Sequence, residues 1–472
     1  MKTPFLGSAY SSRSTNLAGQ RCINLYPELI ETKEGKEVGG FYGVPGLDLL
    51  TTLGNGPIRG EHTMQGGNLY VVSGSGLYAV TAGWAGALLG TLQTASGPVS
   101  IIDNGSQVAV FDGVAGYCWN GTSFVTLSLP FTGPMVANYQ DGFGIVNALG
   151  TGYWYQSNYK DLITWQALNF GTADGKPDPI VGLGDIHREV WLFGTSSTEV
   201  WINAGNSGFA FQRLTGVFIE TGCAAPWSIC KMGEGLVWLG QSDGGQGVVY
   251  LSKGYQPQRI STHAIEAALK GYATIADAIG YSYQDAGHTF YVLTFPTANV
   301  TWCYDATTGL WHQRAGFSAG QFTRHAGNAY AFFNGLHVIG DYASGNLYSF
   351  NLENYTDNGL PRKWVRSWRA LPSGKAVDKP IRFDSLRLDL ETGITVPAGT
   401  NPQIVLRWSD DGGHKWSNEH LAAWGTTGAT AQRVKWNRLG STRRNSGLDR
   451  IFEVSSSDPV RAALIGAEME AS

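Results

Sequence analysis

The chain has 472 residues, among them 64 glycines, 12% aromatic and only 15% charged residues, with a formal net charge of −4. That length exceeds what one compact core usually supports and favours a repeat array or several domains, and the composition describes short strands joined by tight turns. Five cysteines (Cys22, Cys118, Cys223, Cys230 and Cys303) are odd in number and lack CxxC spacing, which excludes a disulfide framework or zinc site and reads as buried apolar thiols. The first five residues open no apolar signal region, and the quietest stretch, 82–92, is too short to span a bilayer, so a soluble chain made in a cytoplasm is expected.

In chain order, residues 1–50 read as an extended N-terminal arm, with 22–26 as its best strand and a charged excursion at 31–36. From 51 to 371 a two-part unit recurs. Its first apolar strand falls at 69–72, 108–111, 143–146, 190–193, 236–239, 290–293 and 330–333. The ring of its second strand follows in step at Tyr78, Trp119, Tyr155, Trp201, Tyr250, Tyr304 and Tyr348, six intervals that cover 270 residues and average 45. Four short strands and their turns need that spacing, so the expected fold is all-β, a β-propeller of about seven blades. A third strand is often marked by another ring, at Trp84, Phe124, Trp165, Phe211 or Trp311, where one blade would pack on its neighbour. Burying each such ring is worth roughly 2–3 kcal/mol, and no blade could bury its rings alone.

Two stretches break the repeat. Residues 263–270, H-A-I-E-A-A-L-K, place Ile265 and Leu269 four apart among good helix formers, which predicts one or two helical turns before the sixth blade. Residues 372–472 read as a separate C-terminal β unit, with alternating runs at 383–390, 404–408 and 432–436 that suit strands with one wet face. Residues 1–300 carry net −7 and 301–472 net +3. A basic cluster, Arg433, Lys435, Arg438, Arg443 and Arg444, hints at nucleic-acid binding, but alternation along a strand also places basic residues on a solvated face, which is the favoured reading.

Motifs that could carry chemistry are sparse. Residues 240–244, G-Q-S-D-G, match a nucleophile elbow, but strands on both sides predict a hairpin where that motif needs a helix. Residues 409–416, S-D-D-G-G-H-K-W, resemble the Asp-box of sialidases and other propellers, in which the Asp caps a tight hairpin and the Trp packs beneath it. A sialidase-like enzyme would also need clustered arginines and paired acidic groups, whereas only Arg13, Arg21, Arg59, Arg188, Arg213 and Arg259 precede residue 300. The nine histidines are scattered without acidic ligands at metal spacing and read as surface residues; no cofactor, metal or catalytic site is expected.

The run 180–184, I-V-G-L-G, through 189–201, E-V-W-L-F-G-T-S-S-T-E-V-W, resembles the phage stabilisation protein family, tail accessory proteins that form the hub or nozzle of short-tailed bacteriophages. Residues 39–50, 247–254, 258–266, 304–308 and 434–440 with Arg443 and Arg444 agree with it in order. The resemblance implies a structural virion protein in about six copies below the portal and its adaptor ring. It would retain packaged DNA, provide its exit channel, touch tail needle, spike or fibre proteins, and lack enzymatic activity, with Arg433, Lys435, Arg438, Arg443 and Arg444 as the candidate subunit or adaptor interface. The competing reading is a glycan-binding or sialidase-like propeller acting as a receptor-binding tail protein, for which Trp154, Trp165 and Trp201 would have to be exposed.

Overall fold

The recurrent apolar strand of the sequence forms the second strand of six antiparallel blades, and the aromatic strand after it forms the third. The computed structural model describes residues 3–13, 18–32, 37–241, 244–370, 380–396, 399–442 and 450–472. Blades 1 to 6 occupy residues 58–91, 100–126, 134–172, 180–219, 222–259 and 279–318. The innermost strands escape a search for apolar runs because they mix buried and half-exposed side chains: Ser100–Asp103 alternates them, and Ile58–Thr63 is buried over its first half only. In blade 7 the apolar run slips by one strand, while Tyr348 keeps its place on the third. Residues 330–333 lie on the innermost strand, Gly327–Phe333, and Leu336–Asp341 is the second.

Blade 7 is completed from the other end of the chain. Its fourth strand is Gly46–Thr52, antiparallel to Asn346–Asn351 with Leu47 opposite Phe350 and Leu49 opposite Tyr348. Each innermost strand touches the next, and that of blade 7 touches that of blade 1, so the ring closes. The inter-blade rings fill their expected places. Trp84 meets Phe333 of blade 7 edge-on at 5.7 Å, Trp165 meets Phe111 of blade 2 at 5.8 Å, and Phe211 meets Trp154 of blade 3 at 5.3 Å. Trp84 itself sits in the turn before its strand, at φ 64°. Gly90 is required where Phe124 crosses blade 1, since a Cβ there would lie 2.1 Å from the Phe124 ring.

The helix is His263–Lys270, capped by the Thr262 hydroxyl accepting from the Ile265 N–H, with Ile265 and Leu269 buried. Beyond blade 6 the sheet does not stop. Its fourth strand, Leu310–Ser318, pairs with Cys22–Ile23, then Trp364–Arg369, Ile451–Ser456, Gln403–Ser409 and His420–Ala423. These last five form one layer of a C-terminal sandwich. The other layer is Leu25–Leu29, Gly39–Gly43, Ala463–Ala471, Phe383–Leu390 and Val434–Asn437. Between the layers lie Trp364, Trp368, Phe383, Leu386, Leu406, Trp424, Phe452 and Leu464.

The strand expected at 22–26 is therefore broken, and residues 1–50 supply one blade strand and strands to both sandwich layers. The break is Asn24, at φ 54° and buried. Its Nδ2 donates to the carbonyls of Ala315 (2.8 Å) and Lys363 (2.9 Å), and its Oδ1 accepts from the Ala315 N–H (2.8 Å). An amide that tolerates the left-handed region and satisfies both neighbours lets the chain cross from one layer to the other. Trp364–Arg369 likewise falls in the sandwich although it precedes residue 372.

Closure by Gly46–Thr52 gives a direct expectation. Leu47 is 2% exposed and Leu49 48%. Leu47→Ala should cost the propeller about 2–4 kcal/mol, and Leu49→Ala on the same strand should cost under about 1. Denaturant midpoints of the two variants against the parent chain measure the difference.

Candidate functional site: the propeller axis and the sandwich surface

The innermost strands line the axis and carry more acid than base. They hold four acids, Glu61, Asp103, Asp185 and Asp285, with Lys231, His62 and Arg59, and the Arg59 side chain is withdrawn into the linker between blades 1 and 2. There Arg59 donates to the carbonyls of Gly74, Thr94, Ser96 and Gly97 and to the Thr94 hydroxyl. Two acids are paired across blades, His62 with Asp103 at 2.6 Å and Lys231 with Asp185 at 2.6 Å. Burial pushes the Asp103 carboxyl up, but hydrogen bonds from His62 and the Gly105 N–H outweigh it and hold the group below its ordinary range.

Several blades join their first two strands by two-residue turns with both residues at positive φ: Asp141-Gly142, Ala286-Gly287, Asn334-Gly335 and, without glycine, His187-Arg188. The turn in blade 4 reaches both neighbours. His187 lies 3.1 Å from Glu234 of blade 5, and Arg188 Nε donates to Asp141 of blade 3 at 3.0 Å.

Glu61 is the unusual group on the axis. Both carboxylate oxygens are buried without a hydrogen-bond partner, and burial pushes the carboxyl up to about 8. Between blades 6 and 7, Arg314 is buried with its guanidinium over Phe290 (4.9 Å) and Tyr283 (5.1 Å).

At the sandwich junction His288 is 3% exposed and lies between two carboxylates, Nδ1 2.8 Å from Asp305 and Nε2 2.8 Å from Glu28. The hydrogen bond to Asp305, aided by that to Glu28, raises the imidazole to about 9 against the cost of burial. Arg366 is also buried, donating to the Phe5 carbonyl from Nε (2.9 Å) and Nη2 (2.6 Å) over the Phe41 ring. His288, His312 and His325 are thus core residues, a correction to the reading of all nine histidines as surface groups. The pairing of residues so distant in the chain leaves no local signal; only Asn24, a polar residue inside an apolar run, could have drawn notice.

Arg433, Lys435 and Arg438 are exposed on or beside the edge strand Val434–Asn437, alternating with buried Val434 and Trp436. Lys435 lies 3.5 Å from Glu470. Arg443 and Arg444 lie outside the described residues. The G-Q-S-D-G stretch joins Gly235–Gln241 to Gly247–Lys253 in an antiparallel hairpin, with Ser242 and Asp243 outside the described residues. In the Asp-box, Asp411 Oδ1 accepts from the Ser409 hydroxyl (2.8 Å) and the Lys415 N–H (2.8 Å), and Trp416 stacks under Arg407 at 4.5 Å. The motif serves a sandwich hairpin. The described propeller arginines do not converge: Arg59 reaches from an innermost strand into a linker, Arg188 is in a turn, and Arg213 and Arg259, on outer strands, pair with Glu199 and Glu266. Trp154 and Trp165 are buried and the half-buried Trp201 packs edge-on to Trp154 at 5.4 Å, so the three rings form no exposed sugar platform. Among the described residues no group of three or more His, Cys, Asp or Glu could hold a metal ion, and no helix is long and apolar enough to cross a membrane.

Residues 1–355 match the family described as bacteriophage P22 Gp10, beta-propeller, and residues 363–472 that described as bacteriophage P22 Gp10, beta-sandwich. No curated protein matches the sequence. Among solved structures, the WD40 beta propeller domain of Doa1 is similar at 11% identity, over 64% of this chain and 96% of that one, with a TM-score of 0.41. The N-terminal domain of Nup159 is similar at 8% identity, over 71% and 99%, with a TM-score of 0.40. An extracellular domain of a hybrid two component system from B. thetaiotaomicron is similar at 10% identity, over 78% and 44%, with a TM-score of 0.41.

Two titrations test the buried groups. The raised Glu61 carboxyl binds its proton more tightly in the folded chain, so stability falls as pH rises from about 4.5 to about 8. Glu61→Gln should leave the melting temperature unchanged at pH 4 and raise it by several degrees at pH 8.5. The raised imidazole of His288 contributes stability that is complete below about 6.5 and lost as pH rises through about 9. His288→Gln should therefore destabilise the chain more at pH 6 than at pH 10, by thermal melts at both.

Proposed function

The chain belongs to the bacteriophage P22 Gp10 family and is a structural component of the phage tail, and on that premise we propose that it is the hub or nozzle beneath the portal and adaptor ring. In this reading about six copies surround the tail axis, retain the packaged DNA and form its exit channel. The channel, on this reading, runs between copies.

The observation that carries the reading is the division of charge. Residues 1–362, with the propeller, hold net −8, and residues 363–472, with most of the sandwich, hold net +4. A conduit must let a polyanion slide, and each phosphate held by a cation releases counterions and strengthens binding, so an acidic wall suits passage. A basic surface suits contact with acidic copies, adaptor, or needle, spike and fibre proteins. The closed ring and the sheet shared by blade 6 and the sandwich support a rigid assembly part, and we assign the chain no catalytic role.

Negative-stain electron microscopy of the purified protein, alone and mixed with a portal–adaptor complex from a short-tailed phage, tests this. Six-fold rings with an axial hole are expected in at least one sample. Monomers that ignore the complex would overturn the assignment.

A further inference from the structure

One layer of the sandwich is polarised along its strand order, 25–29, 39–43, 463–471, 383–390, 434–437. Over its first three strands run three adjoining hollows that share Glu37, Gly39, Ile465, Tyr42 and Arg461 as walls, the largest about 410 Å³. Six carboxylates line them, Glu28, Glu37, Glu353, Asp389, Glu391 and Glu468, against one cation among the described lining residues, Arg461, which lies 3.7 Å from Glu391; Arg387 on the neighbouring strand lies 3.8 Å from Glu468. The floor and lip are apolar, with Phe41 beneath, and with Val38 62% and Tyr42 37% exposed. The opposite edge of the same layer is Val434–Asn437, which pairs only with Phe383–Leu390 and presents Arg433, Lys435 and Arg438. Arg433 and Arg438 have no ion pair among the described residues, and Arg438 is held at φ 59° by its N–H donating to the Asp384 carbonyl at 2.7 Å.

We propose that the basic edge at Arg433, Lys435 and Arg438 of one copy docks into the acidic groove walled by Glu391 and Glu468 of a second copy. The inference rests on the oligomeric tail reading and names the contact within it. Opposite charges at the two ends of one sheet make the contact heterologous: each copy gives an edge and receives one, which generates a ring when the rotation closes. Charge complementarity sets the register, and the exposed Val38 and Tyr42 supply the apolar area that the contact removes from water.

The test uses the full chain and two double variants, Arg433→Glu with Arg438→Glu, and Glu391→Lys with Glu468→Lys. Sedimentation at low and raised salt, with and without a portal–adaptor complex, reads association. The parent chain should associate in a salt-sensitive way, and each variant alone should associate about tenfold or more weakly. Mixed together, the two variants should associate again, because the intact edge of one meets the intact groove of the other and the reversed acidic edge meets the reversed basic groove; that recovery also shows that both are folded. Parent rings unaffected by either variant would overturn this contact, leave the tail-hub reading standing, and reduce the edge charges to a guard against strand pairing. A parent chain monomeric in every setting would overturn both readings. Association lost in the groove variant alone would show that another partner fills the groove.

Discussion

The hydrogen-bonded pairing of Gly46–Thr52 with Asn346–Asn351 is the constraint on which the rest of the structure depends. A blade has two apolar faces and cannot cover either by itself, so each of the seven depends on a neighbour, and the series is stable only if its last member meets its first. Here the meeting is made covalent in effect: blade 7 contains strands from both sides of the other six blades. A ring closed in this way cannot open at the seam without breaking a sheet.

The same strand dictates the path of the segments on either side of it. Because residue 46 enters the rim of blade 7, the residues before it must lie at that rim, and they pass through blade 6 and both sandwich layers. The crossings are held by buried polar groups with complete partners. Asn24 satisfies backbone groups of Ala315 and Lys363, Arg366 satisfies the Phe5 carbonyl, and His288 is shared by Asp305 and Glu28. Leaving such groups unpaired in a low-dielectric interior would cost several kcal/mol, so these side chains select one arrangement of propeller and sandwich among many apolar ones. The junction is consequently specified by a few polar residues, while its stability comes from the apolar core that runs continuously from the sandwich to the helix at 263–270.

Function follows from surfaces more than from a pocket. The chemistry-bearing motifs resolve into turns: the G-Q-S-D-G stretch joins two strands, and the Asp-box folds a sandwich hairpin. What distinguishes the molecule is where its charge lies, acidic along the axis and over one end of the sandwich layer, basic along the other end. Such polarity is how a building block finds its neighbours in one orientation.

The sequence by itself determined the all-β class, the seven-fold repeat and the helix at 263–270. Each rests on local periodicity: an apolar run and a ring every 45 residues or so, and apolar positions four apart among helix formers. It also placed the basic cluster on an alternating strand, where Val434 and Trp436 turn inward. Tertiary structure alone decided which strand closes the ring, that residues 22–29 divide between two layers at Asn24, and that His288 belongs to the core. These depend on partners 260 to 339 residues away, and strand pairing is written in hydrogen bonds that every backbone can make. A side-chain pattern marks which residues will be strand and which face is apolar; only the whole fold, by excluding water from one set of edges and not another, selects the partner.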